Sequence, residues 1–261
     1  MSRMHRAGMA VMIGVLVAGA AGQARAQIQG MPLFTNPRYA TGFRVHADLG
    51  LPTSKTTSLG DYNVLQGGVT FAIGPVGIGA NVGATRNDFK TISSGASSAD
   101  VGASTKVTAS ALLQVRVYGG GLSPWSLSLF GGASMDVNGF SFANIGSLPT
   151  AVQDSIKGSN PEVLTIPAGA ALGLKLPLVI ISPNVWVAPR YNFTKIRNCP
   201  SGATCKTDGE FRWAVGLDVP IFRVLSVRAA YDSGKIKGAS GATQTVSNFG
   251  VGASIGIGGM R

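Results

Sequence analysis

The stretch that decides the fold is EFRWAVGLDVPIFRVLSVRAAYD, residues 210–232. Before Pro220, every second residue is large and apolar, and the residues between are charged or small. The apolar set is Phe211, Trp213, Val215, Leu217 and Val219. Alternation with a period of two is typical of a β-strand with one apolar and one polar face. The pattern resumes after the proline, so the stretch predicts two antiparallel strands, 210–219 and 223–232, joined by Pro220, Ile221 and Phe222.

The same rhythm recurs along most of the chain, and helical periodicity does not persist. It predicts ten strands: 40–50, 63–73, 76–86, 104–118, 125–137, 163–175, 179–193, 210–219, 223–232 and 246–258. Pro167, Pro183 and Pro189 fall inside two of them and would each remove a ladder donor. Strand counts from eight to twelve therefore stay open.

The connections between these strands alternate between long and short. Short connections carry turn residues, such as Gly74 and Pro75, whereas long ones are rich in Ser, Gly, Asn, Asp and Lys. Transmembrane barrels have this asymmetry, with short periplasmic turns and long outer loops. We therefore expect an all-β protein, an antiparallel up-and-down transmembrane β-barrel.

The composition of the 261 residues agrees with this expectation. Hydrophobic residues make up 45% of the chain and charged residues 13%, about half the usual share. So little charge cannot cover a soluble surface, and so much apolar content excludes disorder.

The chain divides into three predicted segments. Residues 1–26 have a basic start, a short apolar run and an Ala24-Arg25-Ala26 site, which is typical of a cleaved signal peptide. Residues 27–39 lack alternation and predict a periplasmic lead-in that either stays outside or tucks into the barrel. Residues 40–261 form the predicted barrel.

With its signal peptide, alternating strands and final Phe249–Ile257 pattern, the chain resembles bacterial outer-membrane β-barrel proteins, the group that includes small opacity-type and porin-like barrels. The resemblance implies a location in the cell outer membrane, in contact with lipid and lipopolysaccharide. It also implies assembly by periplasmic chaperones and the barrel-assembly machinery. One departure is the end of the chain, Gly258-Gly259-Met260-Arg261, which is not aromatic.

The polar strand faces carry a set of charges that we expect to form an interior cluster: Arg44, His46, Asp48, Lys106, Arg116, Asp136, Glu210, Arg212, Asp218, Arg228 and Asp232, with Arg190 and Lys175 on the same faces. They form either a paired plug or the lining of a narrow pore with a slight anion bias. Small inward residues such as Gly169 and Gly252 favour the pore. The expected register places Glu210 opposite Asp232, Arg212 opposite Ala230 and Ala214 opposite Arg228, and it brings Lys106 near Asp136.

Two further features predict local chemistry. Cys199 and Cys205 lie in the turn-rich stretch NCPSGATCK, where export favours a disulfide that pins a loop. His46 and Asp48 form the one His–carboxylate pair of the mature chain, which leaves a barrel hydrolase centred on His46 as an alternative.

We expect an outer-membrane barrel with a structural or narrow porin-like role and no enzymatic activity. The second alternative is a surface binding or adhesion barrel that acts through outer loops 138–162 and 194–209 on a small solute or a surface ligand. No metal or cofactor motif is present, and an exported chain gives no reason to expect nucleic acid as a partner.

Overall fold

A computed structural model describes Asn36 and residues 41–53, 62–94, 97–120, 123–137, 162–177, 182–197, 207–221, 224–237 and 243–257. These residues form ten strands: β1 (Gly42–Pro52), β2 (Tyr62–Ile73), β3 (Val76–Ser94), β4 (Ser97–Gly119), β5 (Trp125–Asp136), β6 (Glu162–Lys175), β7 (Asn184–Arg197), β8 (Thr207–Pro220), β9 (Leu225–Lys237) and β10 (Thr243–Ile257). Each strand pairs antiparallel with the next, and β10 pairs with β1 to close the barrel. The predicted ten-stranded up-and-down barrel is confirmed.

The outer wall is apolar, as the alternation predicts. Val215 and Leu217 are each 38% exposed, whereas Ala214, the residue before Val215, is 0% exposed. The same division holds on β1, where Val45 and Leu49 face outward and His46 and Asp48 are buried. An apolar exterior around a polar interior is the arrangement that a lipid bilayer requires. Among the described residues, no helix is long and apolar enough to cross a membrane.

Aromatic side chains gather near one end of this wall. Tyr191, Phe193, Phe211 and Trp213 are all exposed, and the rings of Tyr191 and Phe193 lie 4.9 Å apart. These residues lie toward the end of the barrel that carries the connections β7–β8 and β9–β10. Such a band is typical of the membrane–water interface.

The hairpin formed by β3 and β4 differs from the prediction. Residues 87–103 were expected to form a long loop, but the two strands stay paired from Val76↔Val115 to Ser94↔Ser97. The neighbouring strands stop earlier, since the β2–β3 pairing ends at Asn87 and the β4–β5 pairing at Thr108. The tip of this hairpin, which we call the β3–β4 extension, therefore projects beyond the wall as a two-stranded ribbon.

The register of β8 and β9 also differs from the prediction. Ala214 lies opposite Asp232 and Asp218 lies opposite Arg228, so Glu210 does not face Asp232 and Arg212 does not face Ala230. The turn is longer than expected, because Ile221 N donates to Leu225 O and β9 begins at Leu225. The longer turn shifts the partner of each residue by four positions, so that Asp232 lies opposite Ala214 and not Glu210. An even shift leaves every side chain on its predicted face.

Two of the three prolines interrupt the wall without removing a strand. Pro167 lies within β6, and the β5–β6 pairing skips from Gly131↔Ala168 to Ser134↔Thr165. Pro189 lies within β7, and the β6–β7 pairing skips from Gly169↔Arg190 to Leu172↔Val187. Proline has no N–H to donate, so each interruption falls where a ladder bond is lost. Pro183 lies just before β7, which begins five residues later than predicted, at Asn184.

Candidate functional site: the barrel interior

The interior of the barrel is filled mainly by polar side chains that are almost inaccessible to solvent. Buried members come from strands around the whole wall, namely His46, Asp48, Gln66, Asn81, Thr85, Lys106, Thr108, Gln114, Arg190, Asn192, Thr194, Arg212, Asp218 and Asp232. Inward polar residues are expected when the outer face contacts lipid. Buried polar groups need partners, so the bonding among these residues determines what the interior can do.

We call the half of the barrel on the side of the long connections the outer half. It contains a buried cluster on β7, β8 and β9, which we call the arginine–aspartate cluster. Arg212 donates through Nε to Asp232 Oδ1 at 2.9 Å and again through Nη2. Arg190 donates through Nη2 to Asp232 Oδ2. Asn192 donates through Nδ2 to Glu210 Oε1 at 3.3 Å beside it. One carboxylate thus accepts from two guanidiniums, and Glu210 supplies a second negative charge.

A buried ion pair lies across the outer half from the arginine–aspartate cluster. Lys106 Nζ lies 2.5 Å from Asp136 Oδ2, which brings together the two residues expected to be neighbours. Thr108 Oγ1 donates to Asp136 Oδ1 at 3.2 Å, and Val163 N donates to Oδ2 at 2.9 Å. The three donors hold this carboxylate in one orientation between β4, β5 and β6.

The inner half of the barrel is the half on the side of the short turns. Several of its charged residues lie in one row across neighbouring strands. Cross-strand pairing connects Asp218 to Arg228, Arg228 to Gly252 and Gly252 to Asp48. Arg228 Nε lies 3.8 Å from Asp218 Oδ1. Arg44 lies two inward positions before Asp48, near the start of β1. It donates to Ser226 Oγ at 3.2 Å and to Ser254 Oγ at 3.3 Å.

His46 is held by polar groups on β3 and on its own strand, β1. Its Nε2 lies 2.7 Å from Asn81 Oδ1 and 3.6 Å from Asp48 Oδ2. Ser254 is its cross-strand partner, but the Ser254 hydroxyl bonds Ser226 at 2.7 Å and accepts from Arg44 and Arg228. A hydrolytic His must accept a proton from a nucleophile within hydrogen-bond reach. Here the same ring nitrogen faces Asn81 and Asp48.

Two of the predicted site features lie elsewhere. Arg116 is at the rim, where it donates to Gly74 O at 3.2 Å in the β2–β3 turn and does not join the charge clusters described above. A β-bulge follows it, between Arg116 and Tyr118. Cys199 and Cys205, the signal segment 1–26 and outer loop 138–161 fall outside the described residues.

An apolar centre lies between the two polar halves, and the sequence analysis did not single it out. Trp186 and Phe130 point inward and are buried among Ala171, Ala188 and Ala214. A Cβ atom on Gly216 would lie 2.2 Å from the Trp186 ring, so only glycine leaves room for the indole. Trp186 occupies an inward position of the alternation on β7. Its place in this pattern was the sequence signal that could have indicated an aromatic ring inside the barrel.

A cavity of about 340 Å³ lies between this apolar centre and the short-turn end of the barrel. Its lining includes strand ends and turns at the short-turn end, such as Ala72, Gly77, Ser182 and Pro220, so it opens on that side. Arg44, Lys175, Asp218 and Arg228 supply its charges. Asn36 lies in it too, because its main-chain O accepts from Gln114 Nε2 at 2.9 Å and its Oδ1 accepts from Asn184 Nδ2 at 2.6 Å. This residue of the predicted lead-in therefore lies inside the barrel.

Comparison with solved structures agrees with this architecture. The translocator domain of the autotransporter NalP from Neisseria meningitidis superposes with a TM-score of 0.50, at 13% identity over 92% of this chain and 96% of that one. The β domain of the Bordetella autotransporter BrkA gives a TM-score of 0.51, at 11% identity over 84% of this chain and 100% of that one. The fold is that of the bacterial outer-membrane β-barrels. Identities this low establish the fold alone.

No protein-family model matches the sequence, and no curated protein matches it. The closed wall, its apolar exterior and the shared fold place the chain in the outer membrane, surrounded by lipid and lipopolysaccharide. In such barrels the short turns face the periplasm, so we expect the cavity to open to the periplasm. Among the described residues, no group of three or more His, Cys, Asp or Glu could hold a metal ion.

Proposed function

We propose that this barrel is closed to ions and serves a structural role in the outer membrane. The arginine–aspartate cluster carries this proposal. Arg212 and Asp232 are each 0% exposed, so the lumen beside them contains no open aqueous path. A wet pore would leave such long charged side chains partly accessible.

The charge balance of the cluster supports the same role. The two positive charges of Arg190 and Arg212 meet the two negative charges of Asp232 and Glu210. Paired charges of this kind are stable out of water only when each has its partners. Such a cluster acts as a plug, and Trp186 with Phe130 adds an apolar layer beneath it.

Single-channel recording in a planar lipid bilayer tests the proposal. The wild-type protein is expected to give no steady conductance. Arg212→Ala removes a large side chain and unbalances Asp232, and it is expected to produce intermittent openings. Arg116→Ala, at the rim, is the matched control and is expected to stay silent. A wild-type barrel that conducts steadily, with Arg212→Ala changing nothing, would show a pore instead.

The β3–β4 extension favours a second candidate function. Its strands remain paired as far as Ser94↔Ser97 although β2 and β5 have ended, so it is a two-stranded ribbon that projects from the long-loop end. A ribbon with two unpaired edges can present backbone donors and acceptors to a surface ligand. We infer a binding or adhesion role as the alternative, acting through this ribbon together with the outer loops.

We infer that the protein is not an enzyme. The hydrogen bonding of His46 supports this, because its Nε2 already faces Asn81 and Asp48. An esterase and peptidase screen of the purified protein and of His46→Gln tests it. Any hydrolysis that His46→Gln abolishes, with the barrel still folded, would establish the hydrolase.

We also infer that insertion uses periplasmic chaperones and the barrel-assembly machinery, as the family resemblance implies. Depletion of the assembly machinery is expected to leave the chain in the periplasm in an unfolded form. Unchanged insertion after depletion would show another route.

A further inference from the structure

We propose that the periplasmic cavity binds a small soluble anion through a carboxylate or phosphate group held by Arg44, Lys175 and Arg228. The proposal goes beyond the structural role, and it does not depend on whether the outer half conducts.

Three cations from well-separated parts of the wall line this one cavity. Arg44 belongs to β1, Lys175 to β6 and Arg228 to β9. In the closed strand order, β6 lies on the far side of the barrel from β1. Lys175 and Arg44 therefore line the same space from opposite walls.

The positive charge around the cavity exceeds the negative charge. Among the described residues of the lining, Asp218 is the one carboxylate, and Arg228 Nε lies 3.8 Å from it. The bonds of Arg44 Nη1 go to the uncharged hydroxyls of Ser226 and Ser254. Within the described part of the chain, no carboxylate lies within 4.0 Å of the charged groups of Arg44 or Lys175.

Counting the neighbouring carboxylate does not remove this surplus. Asp48 lies in the same row of the wall as Arg228 and Asp218, and it contacts His46. Within the described ranges, three cations then face two carboxylates, which leaves one positive charge. Uncompensated charge in a confined space is costly, so an anion from solution is the partner that balances it.

The shape of the cavity suits a small ligand. Its volume of about 340 Å³ remains with Asn36 already in place. That volume lies at the lower end of the range for small-molecule sites. The planar guanidiniums of Arg44 and Arg228 match the geometry of carboxylate and phosphate oxygens.

The continuous strand pairing of the wall favours a soluble anion over a lipid headgroup as the ligand. Strands β9, β10, β1 and β2 are continuously paired beside Arg44 and Arg228, so no gap admits a headgroup from the bilayer there. The ligand therefore enters from the periplasmic mouth, which selects a soluble species.

Titration of the purified full-length protein with inorganic phosphate tests this site, with binding followed by calorimetry at constant ionic strength. The wild-type protein is expected to show saturable one-site binding. Arg44→Gln is expected to weaken it by about tenfold, the loss typical of one charge-assisted contact. Arg116→Gln removes the same charge at the rim, outside the cavity, and is expected to bind as the wild type does.

Lys175→Gln is a second variant in case Arg44→Gln does not fold, and it is also expected to weaken binding. Absence of saturable binding, or equal affinities in the wild type and in Arg44→Gln, Lys175→Gln and Arg116→Gln, would overturn the proposal. A parallel titration uses micelles containing phosphatidylglycerol. Arg44-dependent binding of that lipid without Arg44-dependent binding of phosphate would overturn the assignment of a soluble ligand.

Discussion

Asp232 is the residue on which the outer half of the interior depends most. Its two oxygens accept from Arg190 and Arg212, and all three side chains are buried. Asp232→Asn keeps the shape but removes the carboxylate that both guanidiniums bind, which leaves Glu210 as the remaining countercharge of the cluster. We expect a loss of about 3–5 kcal/mol in the free energy of unfolding, the range for breaking a buried pair. Urea unfolding in detergent micelles, followed by tryptophan fluorescence, measures it.

Glu210→Gln is the control for this prediction, because Glu210 is only partly buried and keeps a hydrogen-bonding partner for Asn192 after the change. It is expected to cost much less than Asp232→Asn. Equal losses in the two variants would mean that the cluster is stabilised by its total charge and not by the bonds to Asp232.

Val215 tests the polarity of the wall. It faces lipid near the middle of β8, so Val215→Arg is expected to cost about 2–4 kcal/mol on insertion into a bilayer. Val137 is also exposed, but it follows β5 at the outer end, and Val137→Arg is expected to cost about 1 kcal/mol or less. Folding into lipid vesicles from urea compares the two. A penalty of the same size at both depths would contradict a membrane-spanning wall.

Among the strands, β8 and β9 show what alternation can and cannot predict. The pattern assigned Arg212, Asp218, Arg228 and Asp232 to the interior, and the structure places all four there. It did not fix how far one strand slides along the other, since a shift by an even number of residues keeps the same faces. The slide was set by the longer turn that ends at Leu225. The sequence therefore predicted the members of the charge cluster better than their pairs.

The inward glycines show a related limit of reasoning from single strands. Small residues on the polar face favoured a narrow pore, and several of them accommodate large neighbours. A Cβ atom on Gly234 would lie 2.4 Å from Arg212 Cγ, and one on Gly169 would lie 2.7 Å from the Phe130 ring. Whether a glycine leaves a gap or admits a neighbour depends on side chains from other strands, which no single strand reveals.

The β3–β4 extension is separable from the barrel by its pairing. Deleting residues 89–102 and joining the flanks with a short turn removes pairs that no other strand supports. We expect the deletion variant to migrate as a folded species on gels when it is not heated. We also expect its unfolding midpoint to stay within a few degrees of the wild-type value. Loss of attachment to a host or bacterial surface by the deletion variant would favour the binding function. Failure of the variant to fold would show that the extension is needed for assembly.

The cysteine pair remains a proposal about an outer loop. Cys199 and Cys205 are expected to be oxidised after export, and so short a ring stabilises the fold by less than the ~3 kcal/mol of a fifteen-residue loop. Reduction is thus expected to leave the barrel folded. Thiol titration of freshly isolated protein checks the oxidation state, and two free thiols per chain would contradict it.

The barrel as one body has a predicted orientation. Ser94 lies near the tip of the β3–β4 extension and Pro75 in the β2–β3 turn at the other end. In a Cys199→Ser/Cys205→Ser background, Ser94→Cys is expected to react with an impermeant maleimide on intact cells. Pro75→Cys is expected to react only after the outer membrane is opened. Labelling of Pro75→Cys on intact cells would reverse the orientation.

The interrupted pairing of β6 makes the contacts between this strand and its neighbours mechanically weaker than those elsewhere in the wall. Pairs are skipped on both sides of this strand, around Pro167 and around Pro189. By contrast, β9 and β10 are paired without a break from Lys237↔Thr243 to Leu225↔Ile255. Fewer cross-strand hydrogen bonds resist shear along β6, so a barrel pulled by a cantilever should rupture beside β6 at a lower force than beside β10. The seam that would tear first is thus set by two pyrrolidine rings.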